Sequence, residues 1–278
     1  MSISPHDLIQ AVSIFGAGIA AGTINTVVGS GTLITFPTLL AFGYPPLVAN
    51  VSNTVGLVPG VLSGIFGLRR ELAGQRNRLI FLGCGSLLGG ILGAVLLLVL
   101  PSDAFNAIVP ALIGLALVLV IAQPKLAARV AARRQPTVAS PAPPEGAASA
   151  AVAVTAAKPA VARGGFFLWA MVFGAGIYGG YFGAAQGVLL LAFLGISFTD
   201  PMTQLNGTKN VLAALVNGVA AIIFIALSPV DWGAAALLAA GSIIGGQVGA
   251  RIGRRLPPFA LRVLIVCVGI AALLKLLL

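Results

Sequence analysis

Long apolar runs, separated by short breaks rich in polar residues, glycine and proline, divide this chain into segments of helical length. A helix crosses a hydrocarbon core of about 30 Å with about 20 residues, so runs of this length are candidate membrane spans. They cover residues 8–28, 46–68, 79–100, 104–123, 165–185, 201–227, 232–250 and 258–277. Because a backbone in lipid must satisfy its own hydrogen bonds, the pattern predicts an all-α polytopic membrane protein with about eight spans.

Two shorter apolar runs, 31–43 and 187–198, lie between the first and second long run of each half. Each has about a dozen residues, too few to cross the hydrocarbon core as a helix. We therefore expect two half-helices, either re-entrant or packed inside the bundle, and the depth of these hairpins stays open.

The two halves of the chain repeat each other. The segment GSLLGGILGA at 85–94 returns as GSIIGGQVGA at 241–250, and GAGI at 16–19 returns at 174–177. A duplicated half in a strongly apolar chain is typical of membrane transporters, whose binding site lies where the copies meet. We expect one membrane repeat over residues 1–123 and a second over residues 164–278.

Residues 124–163, between the repeats, consist mainly of Ala, Pro and Val with scattered Lys and Arg. This composition predicts a flexible linker without a site of its own.

Composition and charge agree with a membrane protein. Hydrophobic residues make up 59% of the chain and charged residues 8%, against about a quarter charged in a soluble domain. The net charge of +10 does not indicate nucleic-acid binding, because the basic residues cluster between apolar runs. Three segments, 69–78, 125–163 and 251–262, hold 14 of the 16 Lys and Arg residues.

The distribution of basic residues also predicts the topology. The positive-inside rule places the three basic segments in the cytoplasm, and places the connections 101–103 and 228–231, which lack Lys and Arg, outside. The runs 79–100 and 232–250 then cross in opposite directions, so the repeats are inverted relative to each other. Both termini are expected outside, in a multi-pass protein of the plasma membrane.

Glycines recur at every fourth position in corresponding spans, at 85, 89 and 93 and again at 241, 245 and 249. This spacing puts them on one helical face, where small residues allow two helices to approach closely. The resemblance to a dinucleotide-binding glycine motif is poor, because the spacing is wrong and no strand precedes it. Close helix packing is the better interpretation.

Lys209 is the one charged side chain that lies well inside a predicted span. A lysine at the membrane centre costs about 2.5–3.5 kcal/mol on insertion scales and usually faces a cavity or a partner. Asn206 and Asn210 lie beside it, and Asn53 and Thr54 occupy the corresponding place in the first repeat. We expect these side chains to bind an anion, with snorkelling of the lysine and interhelical hydrogen bonds of the amides as the structural alternatives.

The breaks before the half-helices are the third candidate element. Asn25 and the stretch Gly29, Ser30, Gly31 and Thr32 precede the first half-helix, and Gln186 and Gly187 begin the second. Glycine permits a sharp reversal, and the N-terminus of a half-helix offers N–H groups to an anion. A purely structural hairpin remains the alternative.

Several chemistries have no support in the sequence. No Asp, Glu or His lies deep in a span, so a carboxylate proton relay is lacking, and a coupled proton would travel on the substrate or on Lys209. There is no nucleotide-phosphate loop. Cys84 and Cys267 lack partner spacing for a disulfide or a metal site. We therefore expect no enzyme activity, no metal and no cofactor.

Four segments resemble the TauE/SafE family of sulfite and organosulfonate permeases: AGTINTVVGSG at 21–31, FPTLL at 36–40, ANVSNTVG at 49–56 and NGTKNVL at 206–212. The likeness covers both repeats, whereas QGV at 186–188 departs from the Gly-x-Gly break of the first. It implies transport of small sulfur-containing or carboxylate anions across the plasma membrane of bacteria and archaea.

These observations predict a secondary transporter for a small anion, such as sulfite, a sulfonate or a carboxylate, working by alternating access. The expected partners are the lipid bilayer and the anion, with no nucleic acid. An uncoupled anion channel and a non-transporting membrane scaffold are the alternatives. A homodimer is compatible with the sequence, which leaves open the oligomeric state, the coupling ion and the direction of transport.

Overall fold

The computed structural model describes residues 5–132, 165–253, 255 and 258–277, and this part of the chain consists of helices and short connections. The first repeat holds α1 (Pro5–Val27), α2 (Thr32–Ala41), α3 (Pro46–Gly67), a short 3-10 turn (Arg69–Leu72), α4 (Arg76–Val99) and α5 (Ser102–Ala132). The second repeat holds α6 (Gly165–Tyr181), α7 (Gln186–Ser197), α8 (Met202–Leu227), α9 (Trp232–Ile252) and α10 (Pro258–Leu277).

The predicted polytopic helical fold is confirmed. Every predicted span and both predicted half-helices correspond to one of these ten helices, α2 and α7 being the half-helices. Within the described ranges, seven helices are long and apolar enough to cross a membrane, and the apolar α6 has 17 described residues. Large hydrophobic side chains such as Val99, Phe166 and Leu227 point outward, as expected for a surface covered by lipid.

One boundary differs from the expectation. α5 continues beyond residue 123 to Ala132, so residues 124–132 are helical although they were expected to belong to the linker. This stretch is rich in Ala, Leu, Lys and Arg, which are good helix formers, and a helix that leaves the membrane continues in water without cost to its hydrogen bonds. The remaining part of the predicted linker, residues 133–163, lies outside the described residues.

The helices of the two repeats are exchanged in space. α1 of the first repeat packs mainly against α9 of the second, and α6 of the second packs mainly against α4 of the first. α3 contacts α9 in the same way that α8 contacts α4, and α3 and α8 contact each other. Swapping the repeats therefore leaves the contact pattern unchanged, which is the signature of a pseudo-two-fold relation.

The direction of the helices follows from the residues that face each other. Gly18 of α1 faces Leu238 of α9, and Thr23, further along α1, faces Gly249, further along α9. α1 and α9 are thus parallel, and so are α3 and α9, with Gly56 near Ala235 and Gly67 near Ala250.

The same comparison in the second group shows that α4, α6 and α8 are also parallel. Gly85 of α4 faces Trp169 of α6, and Gly93 faces Ile177. The starts of α4 and α8 lie close together, because Arg78 of α4 forms an ion pair with Asp200, two residues before α8. Because only a short turn separates the full spans α3 and α4, the two groups run in opposite directions. Corresponding helices of the two repeats are therefore inverted, as predicted.

The glycine ridges explain why these helices pair. A Cβ atom at Gly89 or Gly93 would overlap a carbonyl oxygen of α6, and one at Gly241 or Gly245 would overlap a carbonyl oxygen of α1. Only glycine allows such close backbone approach, which replaces the hydrophobic drive that lipid removes. The predicted packing role of both ridges is thus visible in the contacts.

Candidate functional site

Both half-helices follow a break of the same construction. α1 ends where the N–H groups of Val28 and Gly29 both donate to the carbonyl of Ile24, and Gly29 has a φ of +90°. In the second repeat, Gly183 has a φ of +78° and its N–H donates to the carbonyl of Tyr178. A glycine in the left-handed region is the usual way to end a helix, so both breaks are fixed by local sequence.

The two breaks meet in the centre of the molecule. The N–H of Gly187 donates to the carbonyl of Gly29 across the repeats, with an N···O distance of 3.1 Å. A Cβ atom at either glycine would lie 2.5 Å from the Cα atom of the other. The side chain of Asn25 stabilises the first break, because its Oδ1 accepts from the N–H of Gly31 at 2.7 Å. The N–H groups of Gly31 and Gly187 are therefore already bound.

Lys209 lies beside these breaks with its side chain fully buried in the interior of the helical bundle. Its Nζ donates to the carbonyl oxygen of Asn25 at 3.0 Å, and the carbonyl oxygen of Thr26 lies at 3.5 Å. Asn206 and Asn210 donate their amides to the same Thr26 oxygen, at 2.8 Å and 3.2 Å. Three side chains of α8 thus bind the carbonyls at the end of α1, which lack partners within the helix.

The first repeat contains a corresponding contact. Asn50 of α3 donates its amide to the carbonyl of Tyr181 at the end of α6, at 3.0 Å. Pro45 and Pro201 both stand immediately before the first residue of their helices. Counted from these prolines, Asn50 corresponds to Asn206 and Asn53 corresponds to Lys209.

This register differs from the sequence alignment of NTV at 53–55 with NVL at 210–212, which pairs Asn53 with Asn210. Asn53 accepts a hydrogen bond from Thr35, and its amide lies 3.4 Å from the hydroxyl oxygen of Thr32. The residue therefore links α3 to the half-helix α2 of its own repeat. Lys209 takes the place of Asn53 and is followed by an asparagine, so matching asparagine with asparagine shifts the alignment by one residue.

A small enclosed cavity of about 20 Å³ lies between the breaks and the two helices α3 and α8. This volume holds about one water molecule. Its lining comes from both repeats: Asn25, Gly29, Thr32, Asn53, Thr54, Leu57, Val61, Gly183, Gln186, Gly187, Lys209, Asn210, Ala213 and Asn217.

Most of the predicted site residues therefore line one cavity, and three do not. Asn206 binds α1 next to the cavity, Gly31 is bound to Asn25, and Ser30 is fully buried with a hydroxyl that has no partner. Asn217 is a lining residue that the sequence interpretation missed. Its position two helical turns beyond Lys209, as a polar residue in an apolar span, was the available signal.

Gln186 has a free hydrogen-bond donor at this cavity. Its side chain is 2% exposed, and its Nε2 has no partner. A buried amide without a partner costs about 1–3 kcal/mol, so such groups in native proteins usually mark a bound molecule or a function. Lys209 and Gln186 together give the cavity lining a basic side chain and an N–H donor without a partner.

No carboxylate belongs to the residues that line this cavity. The acidic residue Asp200 instead pairs with Arg78 at 2.8 Å, at the start of α4 and α8. In the part of the chain that the structure describes, no group of three or more His, Cys, Asp or Glu side chains could hold a metal ion. Among the described residues, the only basic side chain in this lining is that of Lys209.

Comparison with known proteins adds independent information. The family model described as sulfite exporter TauE/SafE matches residues 14–276. The probable membrane transporter protein YfcA of Escherichia coli K12 is 25% identical over 247 residues, 86% of this chain and 79% of the relative.

Two further relatives match over a shorter region. A probable membrane transporter protein of Haemophilus influenzae is 32% identical over 100 residues, which cover 36% of this chain and 39% of the relative. The probable membrane transporter protein ORF9 of a Sinorhizobium species is 31% identical over 100 residues, 36% of this chain and 38% of the relative. No solved structure matches the chain.

Proposed function

The chain belongs to the sulfite exporter TauE/SafE family of membrane transporters, and we propose that it carries a small anion through the central cavity by alternating access. The proposed substrate is sulfite, a sulfonate or a related organosulfur or carboxylate anion. Lys209 supplies the positive charge for this anion, and the amides of Gln186 and Asn210 supply donors for its oxygen atoms.

The observation that carries this proposal is the fully buried ammonium of Lys209, whose hydrogen bonds go to backbone carbonyls. A buried charge is costly unless it is paired, and no carboxylate lines the cavity to pair with it. An anion that enters the cavity would provide the missing counter-charge.

The size of the cavity supports alternating access over an open pore. The cavity has room for about one water molecule, which is too little for an oxyanion of four or more heavy atoms. A substrate enters only after the helices around the cavity have moved apart. The enclosed cavity is then an occluded state of a transport cycle.

The distribution of charges supports an orientation in the plasma membrane. Arg69, Arg70, Arg76 and Arg78 lie at the connection between α3 and α4, and Arg251 lies at the end of α9. The helix directions place these residues on the same face of the molecule. By the positive-inside rule this basic face is the cytoplasmic one, and the termini are outside.

Substitution of Lys209 tests the proposal. We expect purified Lys209→Met protein in liposomes to lose transport of sulfite and of short sulfonates by at least about tenfold, a loss of about 1.4 kcal/mol in interaction. Methionine keeps the length and packing of the lysine stem. The wild-type protein should also gain thermal stability in the presence of the transported anion, and the variant should not.

Lys275→Met is the matched control. Lys275 lies 3.4 Å from the carbonyl oxygen of Leu40 and 3.2 Å from that of Ala41, so it also binds the end of a helix, but it is exposed and does not line the cavity. Transport should survive this change. Equal transport by Lys209→Met and the wild-type protein would remove Lys209 from the site.

A further inference from the structure

Two hydrogen bonds between the repeats involve residues that immediately precede cavity residues, one on the side of each face. On the basic face, the hydroxyl of Thr208 donates to Oε1 of Gln75 at 2.6 Å, and both side chains are buried. Thr208 immediately precedes Lys209, and Gln75 is the residue before the first residue of α4. This contact therefore joins the start of α8 to the start of α4 directly beside the cavity.

A corresponding contact lies toward the opposite face. The backbone N–H of Asp231 donates to the hydroxyl oxygen of Ser52 at 2.9 Å. Ser52 immediately precedes Asn53, and Asp231 is the residue before the first residue of α9. Ser52 and Thr208 hold equivalent positions after Pro45 and Pro201, so the two contacts are related by the same pseudo-symmetry as the helices.

We propose that these two contacts are the gates of the transport cycle, Thr208–Gln75 on the basic face and Ser52–Asp231 on the opposite face. The inference rests on the proposed function, because a gate has a meaning only in a protein that passes a solute. Both gates are closed in this structure, which agrees with the small volume of the cavity. Transport requires that one of them opens while the other stays closed.

The two gates are not equally strong. Beside the first, Arg78 forms the ion pair with Asp200, donates to Oε1 of Gln75 at 3.2 Å and lies over the ring of Phe198. At the second, the position equivalent to Arg78 is Ala234, whose N–H donates to the side chain of Asp231 at 2.8 Å. The Ser52 gate therefore lacks the equivalent ion pair and should open more readily than the Thr208 gate.

A cysteine placed in the cavity tests the gates without any transported substrate. Cys84 and Cys267 are exposed and do not line the cavity, so both are first replaced by Ser. Ala213→Cys then places one thiol in the cavity lining. Its reaction with a membrane-impermeant thiol reagent is measured from each face of reconstituted vesicles.

Opening one gate should expose this thiol to one face only. We expect Thr208→Val to raise the labelling rate several-fold from the basic face, and Ser52→Ala to raise it several-fold from the opposite face. Gln75→Ala repeats the first test, so the proposal stays testable if Thr208→Val does not fold.

Ser63→Ala is the control for loss of a hydroxyl from α3. Its hydroxyl donates to the carbonyl of Ile243 at 2.9 Å, away from the cavity, and its loss should leave labelling from both faces unchanged.

Labelling that rises equally from both faces, or that does not rise in either gate variant, would overturn the gates. The outcome is separate from the test of Lys209, since labelling needs no substrate. Sided labelling in a protein that moves no tested anion would leave the gates and contradict the proposed substrate. If anion transport depends on Lys209 but labelling is unchanged in the gate variants, the proposed substrate site is supported and the gates are contradicted.

Discussion

At the scale of single residues, Lys209 shows how a buried charge is held without an ion pair. Its partners are carbonyls in the last turn of α1, where the helix dipole leaves partial negative charge. These carbonyls stabilise the ammonium but do not neutralise it. An anion can therefore bind Lys209 without first displacing a carboxylate.

Gln186 provides a prediction at this scale. If the cavity binds the anion as proposed, we expect Gln186→Leu to weaken anion binding by about tenfold, the effect of about 1.4 kcal/mol, because its Nε2 is a donor without a partner in this structure. The fold should be little affected, since Nε2 has no hydrogen bond to lose. Anion-dependent thermal stabilisation of the purified protein measures the effect.

Ser86→Ala is the comparison for Gln186. Ser86 is also buried with a hydroxyl that has no partner, but it lies on α4 outside the cavity lining. Anion affinity should not change in this variant. An unaltered affinity in Gln186→Leu would exclude that side chain from the site.

The sequence predicted most of the cavity residues but not their register. Lys209 stood out because one charge in an apolar span is costly, and glycines and amides marked the breaks. The equivalence of Asn53 and Lys209 was not predicted, because it depends on where Pro45 and Pro201 start their helices. Which hydrogen bonds the donors make in the occluded state is likewise decided by the packing of α8 against α1.

At the scale of helices, the glycine pairs between α1 and α9 give a prediction of stability. A Cβ atom at Gly22 would overlap the carbonyl oxygen of Ser242 and would lie 2.9 Å from the backbone N of Gly246. We expect Gly22→Ala to lower the free energy of unfolding by about 1–3 kcal/mol, the usual cost of overpacking. Thermal unfolding in detergent measures it.

Gly16→Ala, on the same helix, serves as the control. No atom lies within 4 Å of a Cβ placed at Gly16. The substitution should leave stability unchanged or raise it by up to about 1 kcal/mol, because alanine favours the helix. A loss of stability equal to that of Gly22→Ala would mean that close packing is not the role of Gly22.

The elements themselves could be predicted well, since each apolar run has a length that fits either a full crossing or a half-helix. The sequence predicted an end at residue 123, because the apolar run stops there and a stretch of linker-like composition begins. Helix propensity, and not hydrophobicity, extends this helix to Ala132.

At the scale of the whole molecule, the inverted arrangement predicts the sidedness of the connections. Ala73 and Pro229 are exposed and stand before α4 and α9, which run in opposite directions. In a protein without Cys84 and Cys267, Ala73→Cys should be protected from an impermeant thiol reagent in intact cells, and Pro229→Cys should react. Permeabilised cells provide the control, where both should react.

Reaction of both positions in intact cells, or of neither, would contradict the inverted topology. Reaction of Ala73→Cys alone would keep the inversion and reverse the orientation of the molecule in the membrane.

Repetition and charge were enough to predict inverted repeats, but not the exchange of helices between them. The exchange depends on which helix packs against each glycine ridge. Because the ridges of α4 and α9 have similar sequences, the sequence does not indicate which partner each ridge takes. As a result of the exchange, each group of parallel helices contains helices of both repeats. The first group consists of α1, α3 and α9, and the second of α4, α6 and α8.

The exchange has a consequence for how the protein is made. When α1 enters the bilayer during synthesis, the helix face with Gly18 and Gly22 lacks its packing partner, because α9 is translated only after α2 to α8. α4 likewise waits for α6. A nascent chain interrupted after α5 would contain α1 and α4 without their main packing partners α9 and α6, so the bundle can be completed only after α9 has been synthesised.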